Sequence, residues 1–233
     1  MQAKICVAIC NYNHQKYLKE SIQSVVAQTY QNLDIVVVDD GSQDSTAEIA
    51  KSMSVNVVSL PFNVGVGGAL RVGFLYAQRN SFSQVLQVDA DGQHRASEAK
   101  SLLDASTGFD IVIGSRFAES SPNYSASVLR KSAIKWLSFV ISKICKTKLT
   151  DVTSGFRLSS AKAIELFMKD YPVEYLGDTV ESLVIAHKAG LSITEVPVHM
   201  SQREFGSPSQ NFLKSSWYLL RATLVVVLSL IHK

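Results

Sequence analysis

Short runs that are apolar on both faces recur along the chain, at residues 4–10, 33–38, 55–60, 85–88 and 110–113. Each runs out into polar or acidic residues. Continuous apolar runs of this length predict strands buried on both sides. Segments of helical period stand between them. Over residues 14–28, Leu18, Ile22, Val25 and Val26 form one stripe, and Asn13 is placed to cap that helix. A second helix is expected to 53, opened by Asp44 and Ser45, and a third through 71–78 behind the glycine-rich residues 63–69. Strand and helix in alternation predict an α/β domain, a Rossmann-like and mostly parallel sheet flanked by helices.

Composition narrows this picture. A chain of 233 residues with 46% hydrophobic content fits one such domain with an ample core. The formal charge of +3 is too slight to indicate nucleic acid, and no nucleic-acid partner is expected. Cys6, Cys10 and Cys145 are odd in number and lack ligand spacing, so they read as reduced cysteines of the interior. Residues 1–4 lead directly into a strand, and no secretory signal is expected. Residues 120–127, rich in Ser with Pro122 and Asn123, read as a loop dividing a nucleotide-type half from one that handles an acceptor.

Candidate chemistry collects where strands end. The fourth strand runs into Asp89-Ala90-Asp91-Gly92-Gln93-His94, and acids two apart on a strand share a face. Two carboxylates about 4 Å apart repel by roughly 4 kcal/mol at an effective dielectric near 20, unless a cation lies between them. Hard oxygen ligands suit Mg²⁺ or Mn²⁺, whose shell substrate phosphates complete. A solvated turn is the alternative. Asp39 closes the second strand at the same level, where an acid can bond a ribose or a base edge; Asx-turn and helix-cap chemistry accounts equally for 40–44. The amides of 63–69 are candidates for a phosphate site, or a tight turn.

The second half carries different signals. Arg130, Lys131, Lys135, Lys143, Lys146 and Lys148 fall in an acid-free stretch, 129–149. There Ile134, Leu137, Val140, Ile141 and Ile144 recur at helical spacing, with Trp136 and Phe139 alongside. A basic amphipathic helix reads as lying on an anionic membrane; a surface helix packed on the core is the other reading. Asp178 with Glu181 forms a box-like N-cap pattern or serves the acceptor site. Residues 213–231 are the most hydrophobic stretch, but the part after Arg221 is only about ten residues, roughly 15 Å of helix, too short to span a bilayer. With Trp217, Tyr218, Lys214 and Lys233 it reads as an interfacial helix, 212–233, after a catalytic domain of 1–211. A buried helix or a dimer contact competes with that reading.

Together these pieces resemble glycosyltransferase family 2, inverting enzymes of GT-A fold. The nearest likeness is the branch around dolichyl-phosphate mannose synthase and bacterial relatives acting on polyprenyl phosphates or surface glycans. The resemblance rests on Val36-Val37-Val38-Asp39-Asp40-Gly41-Ser42, Asn63-Val64-Gly65-Val66-Gly67, Asp89 to His94, Asp110-Ile111-Val112-Ile113-Gly114-Ser115-Arg116 and Thr153-Ser154-Gly155-Phe156-Arg157. It extends to Glu195-Val196-Pro197-Val198, Arg203 and Gly206. It implies that Asn11, Tyr12 and Asp39 hold base and ribose, with Arg71 also on the donor side. It implies that Asp89, Asp91 and Gln93 hold Mg²⁺ or Mn²⁺ on the donor diphosphate, and that Arg116, Arg130 and Arg203 meet the acceptor phosphate or the diphosphate. Asp178 and Glu181 would stand near the acceptor, as its catalytic acids. The implied activity is hexose transfer from a nucleoside diphosphate sugar to a polyprenyl phosphate or lipid-linked glycan. The implied setting is cytoplasmic and peripheral at the inner face of the membrane, and oligomerisation is compatible with it. Transfer to a sugar hydroxyl in surface polysaccharide, a sugar-1-phosphate nucleotidyltransferase and a non-catalytic scaffold are the alternatives.

Overall fold

Three of the apolar runs pair side by side in parallel: β1 (Ile5–Asn11), β2 (Leu33–Asp39) and β3 (Asn56–Ser59), with β2 in the middle. Val36, Val37 and Val38 of the central strand are fully buried. Leu18 and Ile22 of α1 (Gln15–Val26) and Ala50 of α2 (Thr46–Ser52) join Val37 in a core on this sheet. The computed structural model describes residues 4–118, 128–173 and 177–201. Arg203 and the expected helix at 212–233 lie outside the described residues, as does the side chain of Arg130.

The second sheet has the order β4 (Gln84–Gln87), β6 (Arg157–Ser160), β5 (Ile111–Ser115), β7 (Ile193–Pro197). Here the parallel expectation needs amending. β6 is antiparallel to both its neighbours, while β5 and β7 are parallel. β5 is buried throughout and alternates between two cores. Ile111 and Ile113 face one built with α3 (Gly65–Arg79), α5 (Val128–Cys145), α6 (Ala161–Phe167) and α7 (Ser182–Lys188). Val112 faces the other, with Leu102 of α4 (Ala99–Asp104), Phe156 and Leu158.

Strand ends and helix starts meet through side chains, in ways that revise several expectations. Asn13 does not cap α1: with φ of 54° it turns its side-chain oxygen to the amide of Gln43, 2.8 Å away. Asp44 instead accepts from the Gln15 amide of α1 and the Thr46 amide of α2, both at 3.1 Å. The glycine-rich stretch is not an open phosphate cradle. The carboxylate of Asp40, itself buried, accepts from the Val64 amide (2.8 Å), the Gly65 amide (3.0 Å) and the Asn63 side chain (2.9 Å). Gly67 and Gly68 serve close packing. A β-carbon at Gly67 would overlap the Pro172 carbonyl, and one at Gly68 the Val64 side chain. Arg71 bonds the carbonyls of Met168 (3.0 Å) and Lys169 (2.5 Å), just past the end of α6. It therefore clasps α3 to the end of α6.

The helix of the basic stretch is also turned differently from expectation. Ile134, Leu137 and Ile141 of α5 are buried in the core, so its apolar stripe packs inward as an ordinary helix would. Trp136 and Phe139 remain outside, 53% and 61% exposed.

Asp40→Ala should remove the acceptor for two helix-start amides and cost about 2–3 kcal/mol. Urea unfolding should show a lowered midpoint with an unchanged slope.

Candidate active site

The carboxyl ends of the strands gather the chemistry. β4 stops at Gln87, so Asp89 and Asp91 sit in the turn that follows and not on the strand itself. The turn is held by its own groups. Asp91 accepts from the Gln93 amide at 3.0 Å, and the Asp89 amide donates to Nδ1 of His94 at 2.9 Å. That bond makes Nδ1 an acceptor and leaves the imidazole proton on Nε2, which lies 3.8 Å from the Asp89 carboxylate. The imidazole stacks on the Phe156 ring at 4.9 Å, and burial pushes its pKa down, against the pull of Asp89 and Asp91. The base of the turn is pinned from outside as well, because the Ser201 amide donates to the Gln93 carbonyl at 3.0 Å. His94 is thus the brace of Asp89, a role that the sequence motif alone does not assign.

Asp89 keeps its side chain 51% exposed, and it lies directly over Gly155. A β-carbon there would stand 3.0 Å from both carboxylate oxygens, so a larger residue would push the carboxylate outward. Two residues on, Arg157 opens β6 and is buried. Its guanidinium donates to the carbonyls of Ser154 and Val152, both at 2.8 Å, and to the Ser182 hydroxyl at 3.0 Å. None of these partners is charged. Burial pushes the Arg157 pKa down, while Tyr171, Asp178, Asp151 and Asp89 hold it up.

Ser182 begins α7, and before it Gly177–Glu181 forms a π-helical turn. Asp178 therefore lies within this turn and is not the residue before a helix; Glu181 precedes α7 and makes no side-chain cap bond. Two hydroxyls hold the turn by the Asp178 carbonyl, Tyr171 at 2.9 Å and Ser182 at 2.7 Å. Burial pushes the Asp178 carboxyl up from its ordinary value; Arg157 draws it down and Asp89 raises it further. The turn after β4 and the π-turn thus face each other across Arg157.

Arg116 behaves otherwise than expected. Its guanidinium grips the buried Asp151 at 2.6 and 2.8 Å and adds a bond to the Thr153 hydroxyl at 2.9 Å. Such a bidentate pair is strong and its charge is internally balanced. In this structure Arg116 faces inward and shapes the loop at 151–153. Glu195 supports the same loop by accepting from the Thr150 amide at 2.7 Å.

On the other sheet, Asn11 and Asp39 end β1 and β2 as register partners. Asn11 accepts from the His14 amide (3.2 Å) and Asp39 from the Ser42 amide (3.1 Å). Asp39 is only 3% exposed, whereas Tyr12 beside it is 39% exposed. For a cation, the local donors are hard oxygens from Asp89, Asp91 and Gln93. Among the described residues no cluster of three or more His, Cys, Asp or Glu forms a metal cage. A two-carboxylate site open to solvent suits a Mg²⁺-type ion that takes its remaining oxygens from a phosphate ligand.

Residues 6–167 match the model of the family described as Glycosyl transferase family 2. An undecaprenyl-phosphate mannosyltransferase of Micrococcus luteus is 31% identical, over 74% of this chain and 74% of that protein. A polyprenol monophosphomannose synthase of Mycolicibacterium smegmatis is 28% identical, over 86% and 78%. Among solved structures, glucosyl-3-phosphoglycerate synthase of Mycobacterium tuberculosis, in complex with Mn²⁺, uridine diphosphate and phosphoglyceric acid, superposes with a TM-score of 0.63. It is 17% identical, over 97% of this chain and 78% of that one. At that identity the likeness is one of fold, the GT-A arrangement.

Asp178 also provides a test of the geometry. A carboxyl whose folded pKa lies above its unfolded one binds its proton more tightly in the native state, so stability falls as pH rises between the two values. Asp178→Asn should melt higher than the parent at about pH 7, and the advantage should vanish below the ordinary aspartate pKa. Thermal scans of the two proteins across that range measure it.

Proposed function

This chain belongs to glycosyl transferase family 2, and we propose that within the family it is an inverting hexosyltransferase. It takes a hexose from a nucleoside diphosphate sugar and delivers it to a polyprenyl phosphate or lipid-linked acceptor at the cytoplasmic face of a membrane. The observation that carries the reading is the Asp89–Asp91 turn. It holds a half-exposed carboxylate over Gly155, with a second acid beside it. The relatives named for undecaprenyl phosphate and polyprenol support the acceptor class.

In this reading Asp89, Asp91 and Gln93 hold Mg²⁺ or Mn²⁺ against the donor diphosphate. The ion, when bound, supplies Lewis-acid charge to the leaving diphosphate. The protein does the rest by placement. His94 fixes the Asp89 backbone from one side and Gly155 admits its carboxylate from the other. Asn11, Tyr12 and Asp39, at the neighbouring strand ends, receive base and ribose; the buried Asp39 acts mainly by shaping the loop that Ser42 begins. Arg130 and Arg203 are assigned to the acceptor phosphate. A phosphate monoester is already anionic, so it needs orientation and charge pairing more than a general base.

One observation favours a second acceptor. A carboxyl raised above its ordinary value, as Asp178 is by burial, suits a general base for a sugar hydroxyl. Asp178 beside Asp89 fits that duty better than Glu181, and with a phosphate acceptor it would be idle.

The metal assignment is testable through Asp91→Asn. Asparagine keeps an oxygen for the Gln93 amide, so the turn survives while one anionic ligand is lost. Even outer partners of a metal ligand are worth 10–100-fold. Calorimetric titration with UDP or GDP should therefore show Mn²⁺-dependent affinity falling by at least about tenfold, with the melting temperature nearly unchanged. Undiminished metal-dependent affinity would contradict the assignment.

A further inference from the structure

α5 presents two different faces. Inward, Ile134, Leu137, Ile141 and Cys145 are buried, and the Ser138 hydroxyl bolts the helix to the Thr150 carbonyl at 3.0 Å. The helix cannot turn this stripe to a partner without leaving the core. Outward, Lys131, Lys135, Trp136, Phe139 and Lys143 are exposed, and Lys146 and Lys148 follow at its end. No acid occurs from 128 to 150, and the next one, Asp151, is buried against Arg116. The ammonium of Lys143 lies 5.7 Å from the centre of the Phe139 ring. Beside that pair an open cavity of about 400 Å³ is lined by Phe139, Ser142, Lys143, Lys146, Thr147 and Lys148.

We propose that the outer face of α5 is a docking surface for an anionic membrane, with the cavity beside Phe139 receiving a lipid phosphate headgroup. Trp136 and Phe139 supply the amphipathic rings that settle at headgroup depth. The lysines, with long apolar stems, reach the phosphates from the same side. Charge complementarity selects the occupant: every charged residue that residues 131–148 present outward is a lysine, and the apolar part is two exposed rings, Trp136 and Phe139. That pattern suits a soft surface that rings can enter. An apolar peptide is a poor match for it, because five lysines flank the two rings. The surface is fixed by the fold and differs from the apolar stripe that a sequence reading would offer to the lipid. The choice of a lipid surface over another polyanion rests on the lipid-acceptor reading above.

The test uses the full chain, without donor or acceptor, in flotation with vesicles of phosphatidylglycerol and of phosphatidylcholine. Two variants are compared with the parent, Trp136→Ser with Phe139→Ser, and Lys143→Ser with Lys146→Ser and Lys148→Ser. All five positions line the outer face and its cavity, so both variants should melt close to the parent. The parent should float with the anionic vesicles and not the neutral ones. Removing three lysines should weaken partitioning on the order of 100-fold, and removing the two rings roughly tenfold or more. Both variants should still transfer sugar to a short-chain, detergent-dispersed polyprenyl phosphate at the parent's rate. Variants that float as well as the parent would overturn the proposal and shift membrane contact elsewhere in the chain. Tighter binding to polyuridylate than to anionic vesicles at equal salt would overturn it too. Lysine- and ring-dependent flotation by a protein that transfers nothing to the short-chain lipid would uphold the docking face and refute the acceptor reading.

Discussion

A guanidinium bonded, among the described residues, only to uncharged groups sits beneath the candidate active site. Burying a cation is expensive, and the cost is tolerable only when its donors are satisfied and opposite charge is near. Arg157 meets both conditions through bonds to Val152, Ser154 and Ser182 and through the fields of Asp178, Asp151 and Asp89. The consequence is geometric. The two carbonyls fix the loop that carries Gly155, and the hydroxyl fixes the start of α7 and with it the π-turn of Asp178. Asp89 then stands over a glycine whose position depends on the same side chain. One buried positive charge thus lets several carboxylates approach one another and one place, which mutual repulsion would otherwise oppose.

The rest of the molecule supplies the rim. Asp40 and Asp44 spend their carboxylates on helix-start amides, so the loops after β1, β2 and β3 are stiffened by short local bonds. Gly67, packed against Pro172, and Arg71, clasped to the carbonyls of Met168 and Lys169, carry that stiffness across from the parallel sheet. The segment they reach leads into the π-turn. A donor held at the ends of β1 and β2 and an acceptor held near α7 would therefore rest on parts that are tied together. Such a frame favours transfer by placement, since orientation alone can supply much of a barrier reduction.

Much of this was legible in the sequence, for reasons that separate cleanly. β1, β2 and β5 each hold an unbroken apolar run, and α1 and α5 carry apolar residues at helical period, so their type is legible. The Asp-x-Asp turn was visible because acids directly after a buried strand are conspicuous. The place of β6 between β4 and β5 is not legible in the sequence. Its residues are Arg157, Leu158, Ser159 and Ser160, and hydrogen bonds do the work that apolar burial does in its neighbours. For the same reason a sequence cannot tell that Arg116 is spent on Asp151, some 35 positions away. Nor can it tell that Asp40 has claimed the amides of a glycine-rich loop that resembles a phosphate cradle by composition alone. The basic helix gave its period truthfully. Which stripe faced inward depended on the core it met.

What most directly tests the account is the linkage formed in the product. Purified protein, a nucleotide sugar, Mn²⁺, a short-chain polyprenyl phosphate and a glycolipid offered together should yield a lipid whose new bond joins the anomeric carbon to phosphate, with anomeric configuration opposite to that of the donor. Phosphorus and proton NMR of the isolated lipid report both features. A phosphodiester at the anomeric carbon with inverted configuration is the predicted result. A sugar attached through a hydroxyl of a glycolipid, with polyprenyl phosphate left unmodified, would contradict it and give Asp178 the role of base.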